Sequence, residues 1–111
     1  MTDDVQQLIA QAQSYQQQFQ SIITQRETLK LQQLEIKKAL EELEKTNEDT
    51  VYKISGPILI KTSKSDVKKE LTEKSELISA RLRTLEKSER LVKEKIEELR
   101  RKLEGGSEAG G

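Results

Sequence analysis

The chain has 111 residues, of which 36% are charged, 32% are hydrophobic and only 3% are aromatic. An ordinary globular domain is richer in apolar residues, so this composition excludes a compact domain with a large core of its own and makes disorder the first alternative. Twenty basic residues balance twenty acidic ones. The chain therefore lacks the basic excess with which nucleic-acid binders neutralise phosphates.

Cysteine and histidine are both absent from the sequence. Their absence argues against disulfides, thiolate nucleophiles, histidine acid–base catalysis and most zinc sites. No apolar run approaches the roughly 20 residues of a membrane span, and the N-terminus lacks the basic region of a secretory signal. We therefore expect a soluble, cytoplasmic protein without a membrane partner.

Before the only proline, Pro57, apolar residues recur at alternating steps of three and four. This spacing is the a/d pattern of a coiled coil, and only Arg26 and Gln33 interrupt it. We therefore predict a helix over residues 4–45. The first stripe consists of Val5, Leu8, Ala12, Tyr15, Phe19, Ile22, Leu29, Ile36, Leu40 and Leu43.

A second stripe follows the proline and predicts a helix over residues 64–104, with Ser75 and Glu89 as its two exceptions. This stripe consists of Val67, Leu71, Ile78, Leu82, Leu85, Val92, Ile96, Leu99 and Leu103. When the helices are set antiparallel with Ile36 opposite Ile78, the two stripes match along their whole length. This match predicts an intramolecular coiled coil and argues against disorder.

The same register places Arg26 opposite Glu89, and these are the only charged residues in the two stripes. We expect a cross-helix ion pair whose main role is to select the register. A slip by one heptad would set each charge against an apolar residue and leave it unpaired. Beyond the second stripe, the glycine-rich residues 105–111 predict a flexible tail.

Between the two predicted helices, residues 50–62 are rich in β-branched and aromatic side chains around a Gly56-Pro57 turn, which predicts a β-hairpin. Its apolar residues are Val51, Tyr52, Ile54, Ile58, Leu59 and Ile60. We expect Lys53 and Lys61 to face solvent. The two-residue period of each strand then predicts an inward face that consists of Tyr52, Ile54, Ile58 and Ile60, and an outer face with Val51 and Leu59.

The predicted fold class is all-α dominated: a long antiparallel two-helix coiled coil with a β-hairpin at the connection between the helices. A lone two-stranded hairpin is marginally stable in water, and its open edges favour association with other strands. Two helices cannot cover the apolar side chains of the hairpin. We therefore expect hairpins from several chains to assemble into an intersubunit β-barrel.

Four short motifs carry a family resemblance: Tyr15-Gln16-Gln17-Gln18 in the first helix, then Val51-Tyr52-Lys53, Gly56 and Leu59-Ile60-Lys61 in the hairpin. Together with the heptads, they make the chain resemble prefoldin beta subunits of the archaeal type over about residues 5–103. The resemblance implies a heterohexamer of two alpha and four beta subunits. It also implies an ATP-independent holdase that captures unfolded proteins at the coiled-coil tips and delivers them to a group II chaperonin.

The residue chemistry supports a binding protein rather than an enzyme. Gly56 stands alone, so no glycine-rich loop can hold nucleotide phosphates, and we expect no catalytic residue, cofactor or metal. Near the free helix ends, we expect apolar residues both to close the coiled coil and to bury apolar segments of client proteins. These tip residues are Val5, Leu8, Ile9, Ala12, Ile96, Leu99 and Leu103.

Two other function classes stay open. A structural coiled-coil tether would have no need of an apolar hairpin, and an RNA-gripping helical arm such as that of seryl-tRNA synthetases would need a basic face. The glutamines between residues 6 and 20 predict a solvated helix face, with a low-charge surface for clients of either sign as the alternative. The basic run Arg100-Arg101-Lys102 is a candidate contact for an acidic patch on a chaperonin.

Overall fold

The computed structural model describes residues 2–110, and it describes side chains for residues 4–105. Helix α1 covers Thr2–Lys45, strand β1 covers Thr50–Ser55, strand β2 covers Ile58–Ser63 and helix α2 covers Lys64–Gly110. The two strands pair antiparallel in a single sheet. The predicted fold class, two long helices connected through a β-hairpin, is confirmed.

Helix α2 continues past its predicted end at residue 104. Gly105 lies exposed within the helix, with no atom near the position that a side chain would occupy. The predicted flexibility of residues 105–111 concerns a segment that lies almost entirely outside the residues whose side chains the structure describes. It stays a prediction.

Polar contacts close the junction between the hairpin and the helices. The backbone N–H of Lys64 donates to the carbonyl of Asp49 at 2.8 Å, and Lys64 Nζ donates to the carbonyl of Thr46 at 2.9 Å. Ser63 caps α2, because its Oγ accepts a hydrogen bond of 3.1 Å from the backbone N–H of Asp66. The carboxylate of Asp66 also lies in the first turn, where the helix dipole favours negative charge.

The hairpin turn depends on the backbone conformation of Gly56, whose φ is 57°. Residues with a side chain rarely adopt this left-handed conformation, whereas glycine does so readily. A glycine with positive φ followed by Pro57 fits a two-residue type II′ turn, whose twist matches that of the flanking strands. The turn sets the strand register by pairing Ser55 with Ile58.

This register corrects the predicted faces of the hairpin. Directly opposite residues of an antiparallel pair share a face, and Tyr52 pairs with Lys61 while Ile54 pairs with Leu59. The grouping of Tyr52 and Ile54 with Ile58 and Ile60 was therefore wrong. The two-residue turn places even-numbered residues of β1 on the same face as odd-numbered residues of β2. The second face holds Val51, Lys53, Ile58 and Ile60.

The chain divides into two compact units, of which the hairpin unit is Thr28–Leu82 and the terminal unit comprises the chain on either side of it. In the hairpin unit, one cluster forms the core, with buried Ile36, Ile78 and Leu82 and the partly buried Leu29, Leu40 and Leu71. Gln33 of α1 bonds to Ser79 of α2. Glu44 lies later in α1 than Gln33, and it pairs with Lys68, which lies earlier in α2 than Ser79. The helix segments of this unit are thus antiparallel.

The terminal unit buries the same kind of stripe. Its buried residues are Ile22, Leu85, Val92 and Leu99. Arg26 contacts Glu89. Phe19 precedes Arg26 in α1, and its ring centroid lies 5.7 Å from Nζ of Lys93, which follows Glu89 in α2. The helix segments of this unit are therefore antiparallel as well.

Candidate functional site

The hairpin exposes an apolar surface on one of its two faces. We call this the open face, and it consists of Tyr52, Ile54, Leu59 and Lys61. Ile54 is 80% exposed and Leu59 is 68% exposed, although both are large aliphatic residues in a strand. Such residues normally pack against another layer of structure, so the open face has the character of an interface.

The opposite face of the hairpin receives partial cover from the chain itself. Val51 and Lys53 are half-buried, and Ile60 is the least exposed of the strand isoleucines. Lys53 Nζ lies 3.2 Å from Glu70 Oε2 of α2, which ties this face to the helix. Ile58, next to the turn, remains exposed.

The strand edges add backbone groups to this surface. Within the described residues, β1 and β2 pair only with each other. Each strand therefore has one edge whose N–H and C=O groups have no sheet partner, and such edges readily accept a further strand. The open face and the two edges together form the candidate assembly surface.

The predicted tip residues divide into exposed and buried groups. Val5 is 48% exposed and Ile9 is 45% exposed, whereas Leu99 is buried. The remaining members are half-buried, namely Leu8, Ala12, Ile96 and Leu103. Among the predicted tip residues, Val5 and Ile9 therefore expose the largest fraction of their apolar surface, while Leu99 belongs to the core of the terminal unit.

The structure brings Arg26 and Glu89 into contact. Arg26 Nη1 donates a hydrogen bond to Glu89 Oε2, and the two side chains are only 26% and 13% exposed. Lys93 Nζ lies 3.7 Å from the other carboxylate oxygen of Glu89, so this carboxylate faces two cations. Arg26 Nε is buried and has no hydrogen-bond partner among the described residues. The role of this pair in selecting the register stays a prediction.

A second polar contact in the seam was not predicted. Gln33 Nε2 donates to Ser79 Oγ at 2.7 Å, and both residues are half-buried. The register that sets Arg26 opposite Glu89 also sets Gln33, one heptad further along α1, opposite Leu82. The long glutamine side chain reaches Ser79, which lies one helical turn from Leu82. Two polar residues that interrupt facing stripes would have predicted this contact from sequence. Ser79 lies beside the second stripe rather than in it, so no such pattern was present.

An ion pair between the helices lies near the hairpin. Lys68 Nζ is 2.6 Å from Glu44 Oε1, and the hydrogen bond and positive charge of Lys68 lower the pKa of the Glu44 carboxyl, with a further contribution from Lys64. A lowered pKa in the folded state stabilises the fold above the ordinary glutamate pKa, and this effect is lost as the pH falls through the folded value. Since the group is solvent-exposed, the effect is small.

Neither a metal site nor a membrane span is found in the part of the chain that the structure describes. No three acidic side chains there converge in a way that could hold a metal ion. No helix in the same part is long and apolar enough to cross a bilayer.

Comparison with known proteins agrees with this architecture. The sequence profile of the family described as "Prefoldin subunit" matches residues 6–106. The chain is 44% identical over 101 residues to prefoldin subunit beta of Thermococcus onnurineus, a match that covers 90% of this chain and 87% of the relative. It is 46% identical over 101 residues to prefoldin subunit beta of Archaeoglobus fulgidus, with the same coverage of 90% and 87%.

A solved structure is similar in both fold and sequence. The crystal structure of the prefoldin beta subunit from Thermococcus strain KS-1 matches with a TM-score of 0.82 and 38% identity. The match covers 93% of this chain and 91% of that one, so both helices and the hairpin between them are included. The chain belongs to the prefoldin beta subunit family.

Proposed function

We propose that this chain is a subunit of an ATP-independent holdase chaperone. Its free helix ends capture unfolded proteins in the cytoplasm, and the assembled complex delivers them to a group II chaperonin. The observation that carries the proposal is the exposure of Val5 and Ile9 near the start of α1. Family membership supports it, since prefoldin subunits are chaperones.

The energetics of Val5 and Ile9 suit a protein that holds many different clients. Non-native proteins expose apolar segments, and mutual burial is favourable by about 25 cal/mol per Å². Two exposed aliphatic residues on one helix end bind such a segment weakly. Several ends held in one assembly raise the effective concentration of contacts, so weak and sequence-tolerant binding becomes sufficient.

We propose that the candidate assembly surface joins this chain to other subunits. Strands from further hairpins pair with its two free edges, and their apolar residues cover the open face. The partners are an alpha-type prefoldin subunit and other copies of this chain. Two alpha and four beta subunits complete a β-barrel in this proposal.

We also propose that the Arg26–Glu89 pair selects the helix register. The two side chains are mostly withdrawn from water, so a register that separates them leaves two charges without a partner. The correctly paired register has no such penalty. The net stability that the pair adds is small, and its main effect is on the choice among registers.

The first prediction concerns assembly. Ile54→Asp places a carboxylate on the open face. Assembly would bury this charge without a partner, which costs on the order of several kcal/mol. We expect the variant to keep its helix content by circular dichroism but to form no complex with an alpha-type subunit in light scattering. Leu77→Asp is the matched control, because Leu77 is also highly exposed but lies on α2. A complex of unchanged mass from Ile54→Asp would show that the hairpin does not drive assembly.

The second prediction concerns client binding. The double variant Val5→Ser/Ile9→Ser removes the exposed apolar surface at the free helix end without touching a buried residue. We expect the assembled complex to lose most of its ability to suppress aggregation of a chemically denatured protein, with or without ATP.

The control for client binding is Leu31→Ser/Leu34→Ser, which removes two exposed leucines elsewhere on α1. This variant should suppress aggregation like the unsubstituted complex. If both double variants lose the suppression of aggregation equally, or if neither loses it, client binding lies somewhere other than the helix end. A complex that suppresses no aggregation before any substitution would instead favour a structural tether.

The third prediction concerns the register pair. Arg26→Leu leaves the Glu89 carboxylate without its main partner, at a cost of about 1–3 kcal/mol in the free energy of unfolding. Arg26→Leu/Glu89→Leu should cost less than the single change, because no charge is left behind. Urea denaturation of the four members of a double-mutant cycle measures the coupling.

The control for this cycle is the exposed pair Lys95 and Glu98, whose charged atoms are 3.7 Å apart. Leucine substitutions at that pair should show a coupling close to zero. If the effects at Arg26 and Glu89 add within about 0.3 kcal/mol, the two side chains do not act as a pair.

A further inference from the structure

Charge is distributed unevenly between the two helix segments of the terminal unit. Residues 5–25 of α1 contain no charged side chain and nine glutamines, whereas 14 of the 22 residues from 83 to 104 of α2 are charged. Glutamate and lysine form helices about as well as glutamine, so helix formation does not account for this choice. An exposed helix face normally carries charge. The uncharged face of α1 therefore calls for a functional explanation.

This uncharged face borders a groove between the helix segments of the terminal unit, which we call the amide groove. Its six lining residues are Gln16, Phe19 and Gln20 of α1 and Lys93, Ile96 and Glu97 of α2. Phe19 and Ile96 are half-buried and supply apolar surface. Gln16 and Gln20 are exposed at the border of the groove, together with Lys93 and Glu97. The groove thus places apolar surface between two uncharged amides of α1 and two charged side chains of α2, of which Lys93 has its Nζ 5.7 Å from the Phe19 ring centroid.

The amides of Gln16 and Gln20 are available for bonding. Neither has a hydrogen-bond partner within the part of the chain that the structure describes. Elsewhere on the same helix, Gln18 Nε2 donates to Ser14 Oγ at 3.4 Å, and that amide is already engaged. Since Gln16 and Gln20 are four residues apart, they lie one helical turn apart on the same side of α1.

A primary amide both donates and accepts hydrogen bonds, as a peptide group does. Equivalent peptide groups on one side of an extended chain repeat every ~6.6 Å, or two residues at about 3.3 Å each. Side chains one helical turn apart are spaced by about 5–6 Å at Cβ, close enough for flexible glutamines to match this repeat. A peptide group is neutral, so this mode of binding does not depend on the sign of the client's charge.

We propose that the amide groove binds an extended apolar segment of a non-native polypeptide. Phe19 and Ile96 pack against an apolar side chain of the segment, and the amides of Gln16 and Gln20 bond to its free peptide groups. The occupant is an extended chain rather than a helix, because the peptide groups of a helix are already paired. The proposal rests on the proposed holdase function and names the chemical feature that the holdase recognises.

The test measures binding of two labelled nine-residue peptides to the assembled full-length complex by fluorescence anisotropy. One peptide alternates leucine and serine, and the other has the same sequence with alternate backbone amides N-methylated. We expect N-methylation to weaken binding to the unsubstituted complex by about tenfold, because the methylated amides can no longer donate hydrogen bonds to Gln16 and Gln20. In Gln16→Ala/Gln20→Ala, the two peptides should bind with equal affinity, no tighter than the methylated peptide binds the unsubstituted complex.

The matched control is Gln18→Ala/Gln25→Ala, which removes two amides of the same helix that donate to Ser14 and Ser21. It should keep the preference for the unmethylated peptide. Alanine is a good helix former, so neither double variant should lose helix content by circular dichroism.

Three outcomes would overturn the proposal. These are equal affinity of the unsubstituted complex for the two peptides, an unchanged preference in Gln16→Ala/Gln20→Ala, and tighter binding of a helix-stapled peptide of the same composition. These three outcomes concern the groove alone. The proposed holdase function predicts that the unsubstituted complex suppresses aggregation of a denatured protein in every case. Loss of that suppression before any substitution would contradict the holdase function itself.

Discussion

The structure depends on one constraint, which is that a helix paired with a single other helix can bury only one stripe of its side chains. Ile78 is 6% exposed, whereas its neighbour Leu77 is 72% exposed. Val92 and Leu91 show the same contrast in the terminal unit. Apolar residues outside the stripe therefore stay in contact with water unless another molecule covers them. The two helices stabilise the fold of this chain but leave apolar surfaces exposed.

The hairpin and the start of α1 are two consequences of this constraint. The Gly56-Pro57 turn fixes a register in which both faces of the hairpin carry apolar residues, and the chain partly covers only the face with Val51 and Ile60. We propose that other subunits cover the open face. Near the start of α1, Val5 and Ile9 likewise remain exposed. We propose that the first surface associates with other subunits through its strands and that the second makes transient contact with many clients.

The helices could be predicted from sequence because their periodicity is long and regular. Matching the two stripes also placed Arg26 opposite Glu89, where the structure finds them in contact. The hairpin faces could not be predicted in the same way, since the alternation within each strand does not say how one strand is phased against the other. That phase depends on the turn. The bond from Gln33 to Ser79 was missed because it depends on side-chain length rather than on backbone register.

The central claim is that the open face is exposed in the single chain and becomes covered on assembly. The chain has no cysteine, so Ile54→Cys introduces a unique thiol on this face, and Leu77→Cys introduces one on α2 as a control. The measurement is the rate of thiol alkylation in the chain alone and after mixing with an alpha-type subunit. We expect mixing to slow alkylation strongly at position 54 and to leave it unchanged at position 77. Equal rates at position 54 in the free chain and in a fully formed complex would contradict the claim.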